Sequence, residues 1–121
     1  MAIDRLSKRA LQKLLSGQVK EAATCIIKFY SNTCPLCHEL SDSYKDLAEE
    51  EDYSELHFFA FNIGDYPQVE KIIGFSGVPT ITVIKTGIKK PNIRVLKDPE
   101  KPHMNTWYHV DDIKDFIEKE R

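Results

Sequence analysis

Apolar residues recur along this chain in two rhythms, and the switches between them lay out its elements. Ile3, Leu6, Ala10, Leu11, Leu14 and Leu15 fall at helical spacing and predict a first helix that Gly17 is placed to stop. Thr24 to Tyr30 is almost continuously apolar apart from Lys28, as expected for a central strand covered on both sides. From Cys34 to about position 50, Cys37, Leu40, Tyr44, Leu47 and Ala48 return to helical spacing. Residues 57–63 form an aromatic-rich second strand, and Asp65-Tyr66-Pro67 opens a short helix carrying Val69, Ile72 and Ile73 up to Gly74. Gly77-Val78-Pro79 then precedes a β-branched strand, Thr80 to Lys85. Residues 92–96 return as a strand after Thr86-Gly87, and a loop from Lys97 runs on past Trp107. Val110, Ile113, Phe116 and Ile117 define a last helix. The order α-β-α-β-α-β-β-α predicts an α/β protein, a small mixed sheet flanked by helices.

Composition narrows the class of protein. A chain of 121 residues supports one domain, taken as 1–121, with a core that needs no disulfide staples. A net charge of −2 argues against a dedicated nucleic-acid binder. No apolar run is long enough to cross a bilayer, so no membrane partner is expected. The N-terminal residues from Met1 to Arg9 mix charge with apolar side chains and contain no h-region, which reads as a cytoplasmic protein. Arg5, Lys8, Arg9 and Lys13 read as the solvated face of the first helix. In a reducing compartment, a close cysteine pair points to redox or metal chemistry rather than to a structural staple.

Such a pair follows the first strand. Ile26-Ile27-Lys28-Phe29-Tyr30 breaks at Ser31-Asn32-Thr33 and leads into Cys34-Pro35-Leu36-Cys37-His38. Cys34 therefore sits at the first turn of a helix, where backbone N–H groups lack intrahelical partners and the dipole is positive. A thiolate there is stabilised, its pKa falling below the roughly 8.5 of a free cysteine. The spacing alone permits a small disulfide ring or a metal site. It also satisfies the Cys-x-x-Cys-His pattern of haem attachment, with Met104 as the nearest axial ligand type. Zinc would need two further ligands, and His57, His103 and His109 stand isolated in the sequence. Cys25, within the strand, reads as a buried, inert side chain.

The pair, its preceding strand, Asn62-Ile63 and the stretch Gly74-Phe75-Ser76-Gly77-Val78-Pro79-Thr80 together resemble the thioredoxin family. The resemblance covers the chain from the first helix onward and lacks only an additional N-terminal strand. It implies a thioredoxin-like fold with a cis proline at Pro79 beside the cysteines. It further implies that Pro79 keeps metals from the pair and that the backbone of Val78 is exposed to pair with an extended substrate. The implied activity is thiol–disulfide exchange on disulfide-containing protein substrates, by a monomer needing no cofactor or metal. Electrons would come from a reductase or glutathione. Cys34 would attack the substrate disulfide, and Cys37 would resolve the mixed disulfide.

Several positions depart from the family pattern. Thr33 replaces a tryptophan, and Pro35-Leu36 replaces Gly-Pro with a proline placed as in glutaredoxins. Asp42 stands where a helix-kinking proline is usual, and residues 97–109 replace a glycine-bearing loop. Lys28 replaces the buried acid that helps to deprotonate the second cysteine. Lys28, Pro35, Leu36 and His38 are thus the expected tuning residues. The lysine is expected to turn away and carry its head to water. Turned inward, its charge would stabilise thiolate and make the disulfide more oxidising. The alternative function is a redox-inactive binding or assembly module of the same fold, with Trp107 and Tyr108 as a partner surface; otherwise those two cover the core.

Overall fold

The computed structural model describes residues 3–87 and 89–121. Met1 and Ala2, which begin the stretch read above for a leader, and Ile88 lie outside the described residues. Five strands, β1 (Ile3–Arg5), β2 (Thr24–Tyr30), β3 (His57–Asn62), β4 (Thr80–Lys85) and β5 (Asn92–Val95), form one sheet in the order β1-β3-β2-β4-β5. β1, β3 and β2 run parallel, while β4 and β5 are each antiparallel to the preceding neighbour. The helices are α1 (Lys8–Leu15), α2 (Pro35–Ala48), α3 (Val69–Ile73) and α4 (Val110–Glu120).

The chain's first residues correct the expected helix. Ile3–Arg5 is a strand beside β3, with Ile3 opposite Phe58, so the strand thought to be missing is present. Helix begins only after Ser7, whose hydroxyl accepts from the Ala10 N–H at 3.1 Å and caps it. Ile3 and Leu6 keep helical spacing with α1 by coincidence, because both strand and helix turn apolar residues inward. α3 also starts later than expected. β3 stops where the Asn62 side chain accepts from the Gly64 N–H, a 3-10 turn spans Ile63–Asp65, and Gln68 precedes the helix.

Strand alternation divides the core into two layers. Ile26, Phe58, Ile81 and Val83 meet Leu40, Tyr44 and Leu47 of α2 and Ile113, Phe116 and Ile117 of α4. Cys25, Ile27, Phe29, Phe61 and Ile84 meet Leu11 and Leu14 of α1 and Val69 of α3. Tyr44 anchors α2 to the sheet: its buried hydroxyl lies 3.0 Å from the Ile26 carbonyl and 2.7 Å from that of Phe59. Cys25 is buried as expected, and burial pushes its thiol pKa up. Tyr108 is buried and Trp107 half-buried against the α2–α4 layer, so this aromatic pair covers the core. His103 and His109, isolated in the sequence, have ring centroids 5.3 Å apart. No helix among the described residues is long and apolar enough to cross a membrane.

Candidate functional site

β2 delivers the chain to the top of the sheet, and residues 31–33 turn it into α2. Two contacts hold that turn: the Cys34 N–H donates to the Ser31 carbonyl at 3.3 Å, and Asn62 Nδ2 donates to Asn32 Oδ1 at 3.0 Å. Asn62 is buried at the end of β3, so the neighbouring strand fixes the loop that presents the cysteines. Cys34 is the N-cap of α2, with Pro35 in the first helical turn, where its missing N–H costs nothing. Cys34 Sγ accepts from the Cys37 N–H at 3.1 Å. The helix terminus therefore offers a fixed donor to negative charge on this sulfur.

Cys34 and Cys37 are joined in a disulfide with a Cα–Cα distance of 5.3 Å. Their accessibility differs: Cys34 is half-buried, whereas Cys37 is 2% exposed. The Val78 carbonyl lies 3.7 Å from Cys34 Sγ, which brings the 74–80 loop against the pair. Pro79 follows through a cis peptide bond and is buried. Three anchors hold the loop. Glu70 accepts from the Gly77 N–H at 2.6 Å, Thr80 Oγ1 donates to the Gly77 carbonyl at 2.8 Å, and Phe75 packs on Phe29. Gly74 (φ +98°) and Gly77 (φ +88°) take left-handed backbone that other residues rarely adopt.

Lys28 overturns its expected orientation. It shares a strand face with Ile26 and therefore points at α2, where it is 6% exposed. Its Nζ donates to Ser41 Oγ at 3.1 Å, and Ser41 Oγ donates to the Cys37 carbonyl at 3.2 Å. The rings of Tyr44 and Tyr30 lie 5.3 and 5.8 Å from Nζ. Lys28, Cys34, Cys37, His38 and Ser41 all line one cavity of about 300 Å³. Pro35 is exposed and Leu36 half-buried on the helix turn above. A larger cavity of about 750 Å³ lies between β5, the 97–109 stretch and α4, but no sulfur lines it, so the disulfide locates the site. Among the described residues no three His, Cys, Asp or Glu side chains are grouped as metal ligands.

A thioredoxin family model matches residues 6–106. The chain belongs to the thioredoxin family. Its fold is that of thioredoxins in solved structures. The chain superposes on the J-Trx1 fragment of ERdj5 with a TM-score of 0.67 at 20% identity, over 98% of this chain and 49% of that one. It thus spans about half the length of that fragment. With the thioredoxin Mala s 13 of Malassezia sympodialis the TM-score is 0.68 at 14% identity, over 97% of this chain and 91% of that one. No curated protein sequence matches it. Within this thioredoxin-family domain, Ser41, Glu70 and Asn32 are site residues that sequence reasoning missed. Only Ser41 carried a local signal, lying one helical turn beyond Cys37 on the same face.

Burial lowers the Lys28 pKa from its ordinary value. Unfolding returns the side chain to water, where it binds its proton up to roughly pH 10.4. Between the lowered folded value and that one, the unfolded chain holds more protons, so stability rises with pH across this window. Below the window the cost of burying the charge is fully present. Oxidised Lys28→Met is therefore expected to be more stable than wild type at neutral pH, with the difference shrinking towards about pH 10. Urea unfolding at both pH values measures this. A difference that stays constant would mean that the buried charge is not the cost.

Proposed function

We propose that this thioredoxin-family protein is a thiol–disulfide oxidoreductase that exchanges disulfides of protein substrates through Cys34 and Cys37. The observation that carries the reading is the asymmetry of the pair at the α2 N-terminus. Cys34 is reachable and its sulfur accepts a backbone N–H; Cys37 is covered. In the reduced protein the Cys34 thiolate attacks one sulfur of a substrate disulfide. A Cys34–substrate bond forms, the substrate bond breaks, and the other substrate sulfur leaves as thiolate and takes up a proton. Cys37 then gives up its proton and attacks Cys34 Sγ, which re-forms the Cys34–Cys37 bond and releases the second substrate thiol. Val78, whose carbonyl lies beside Cys34 Sγ, would offer its main chain to the extended substrate, with Pro79 shaping that edge. His38, which lines the cavity with Cys34, and Pro35 and Leu36, which follow Cys34 in the first turn of α2, would modulate its reactivity.

We further propose that the protein acts as a monomer in the cytosol, recycled by a reductase or by glutathione, with no metal or cofactor in the exchange. Insulin reduction in the presence of dithiothreitol tests the central reading. Catalytic amounts of the protein are expected to bring forward precipitation of the insulin B chain. A rate equal to that of dithiothreitol alone would leave the fold as a binding or assembly module.

A further inference from the structure

The least expected feature beside the disulfide is a buried lysine that joins no ion pair among the described residues. Lys28 sits on the central strand between Ala60 of β3 and Ile81 of β4, neither of which can neutralise it. The groups with titratable protons that face it are Tyr30 on its own strand, Tyr44, His38 and Cys37 on α2, and Cys34 at the N-cap of α2. None is a carboxylate. Among the described residues its head group has one hydrogen bond, to Ser41, and two aromatic rings beside it. A buried charge held by so little is costly, and it favours whatever negative charge arises next to it.

The disulfide that shares the cavity is neutral, and its reduction is what can place a thiolate there. We propose that Lys28 sets the potential of the Cys34–Cys37 pair, its buried ammonium serving as counterion to the thiolate that reduction creates in the shared cavity. This rests on the exchange reading above. With glutathione as the thiol reductant, the protein disulfide and two molecules of glutathione give the protein as one thiolate and one thiol, one glutathione disulfide and one proton. The Cys34–Cys37 bond breaks, the glutathione S–S bond forms, and two electrons pass to the protein sulfurs. A protonated Lys28 meets an anion only on the reduced side. It therefore pulls the equilibrium towards reduction and makes the disulfide a stronger oxidant. Lys28 is a positioning residue for charge: its hydrogen bond runs to Ser41, and Ser41 continues to the Cys37 carbonyl.

The test equilibrates wild type, Lys28→Met and Lys28→Gln with mixtures of reduced and oxidised glutathione, and reads the reduced fraction by thiol alkylation and mass. At pH 7 both variants are expected to be about tenfold harder to reduce, about 30 mV more negative. At alkaline pH the wild-type lysine loses its proton, so the three proteins should converge. A role in packing alone would leave the gap the same at every pH. Equal potentials at pH 7, a gap of opposite sign, or a gap independent of pH would each overturn the proposal while leaving thiol exchange intact. A wild-type pair that never equilibrates with glutathione would overturn both readings together.

Discussion

Replacing Cys34 with serine is expected to reduce insulin turnover to the rate of dithiothreitol alone, while Cys37→Ser is expected to trap substrate covalently on Cys34. The two cysteines share a bond, so the difference comes from their surroundings. Cys34 caps α2 and is half-buried, and its sulfur accepts the Cys37 N–H; Cys37 is buried. A serine hydroxyl is a weak nucleophile near neutral pH and cannot form a disulfide, so Cys34→Ser removes the first step. Cys37→Ser leaves that step intact and removes the resolving thiol. The mixed disulfide then persists until an external thiol reaches it. Non-reducing electrophoresis and intact mass measure the adduct. An adduct that forms on Cys37 in the Cys34→Ser protein would reverse the assigned polarity, and wild-type turnover by Cys34→Ser would sink the mechanism.

What could be read from the sequence divides by distance along the chain. The central strands, the helix carrying the cysteines and the last helix announce themselves through local periodicity, and their bounds agree to within a few residues. β1 does not announce itself. Three residues carry no periodicity of their own, and its partner Phe58 lies far along the chain. The contact between Val78 and Cys34 is likewise invisible to local spacing and enters only through the family resemblance. Lys28 is a different case. Its parity with Ile26 places both on one face of β2, so its direction was legible once that face was known to meet α2. The expectation that it would turn to water came from the ordinary cost of burying a lysine, and the fold accepts that cost beside its disulfide. Glu70 holds Gly77 across the left-handed turn at Gly74, a pairing that depends on backbone geometry and leaves no mark in composition.

Phe29→Ala is expected to remove about 3–5 kcal/mol of stability, a large part of what a domain of this size possesses. Phe29 is fully buried on the α1–α3 side of β2. Its ring meets Phe61 of β3 edge-on at 5.8 Å between centroids, and Phe75 at 5.0 Å. The first contact ties two adjacent strands. The second reaches the 74–80 loop, where Phe75 lies a few residues before Val78 and Pro79. Truncation to alanine loses the transfer energy of the ring and leaves a cavity that two strands in fixed register cannot close. Phe29→Leu keeps most of the volume and should lose far less, of the order of 1–2 kcal/mol. Urea unfolding of the three proteins, with the slope checked for constancy, gives both values. The same substitution frees Phe75 and so loosens the loop that rests against Cys34. Phe29→Ala should therefore raise KM for insulin at temperatures where the protein remains folded, while Phe29→Leu should not. A loss below about 1 kcal/mol for Phe29→Ala would mean that the core closes around the gap. An unchanged KM despite the full loss would mean that Glu70 and Thr80 hold the loop without Phe75.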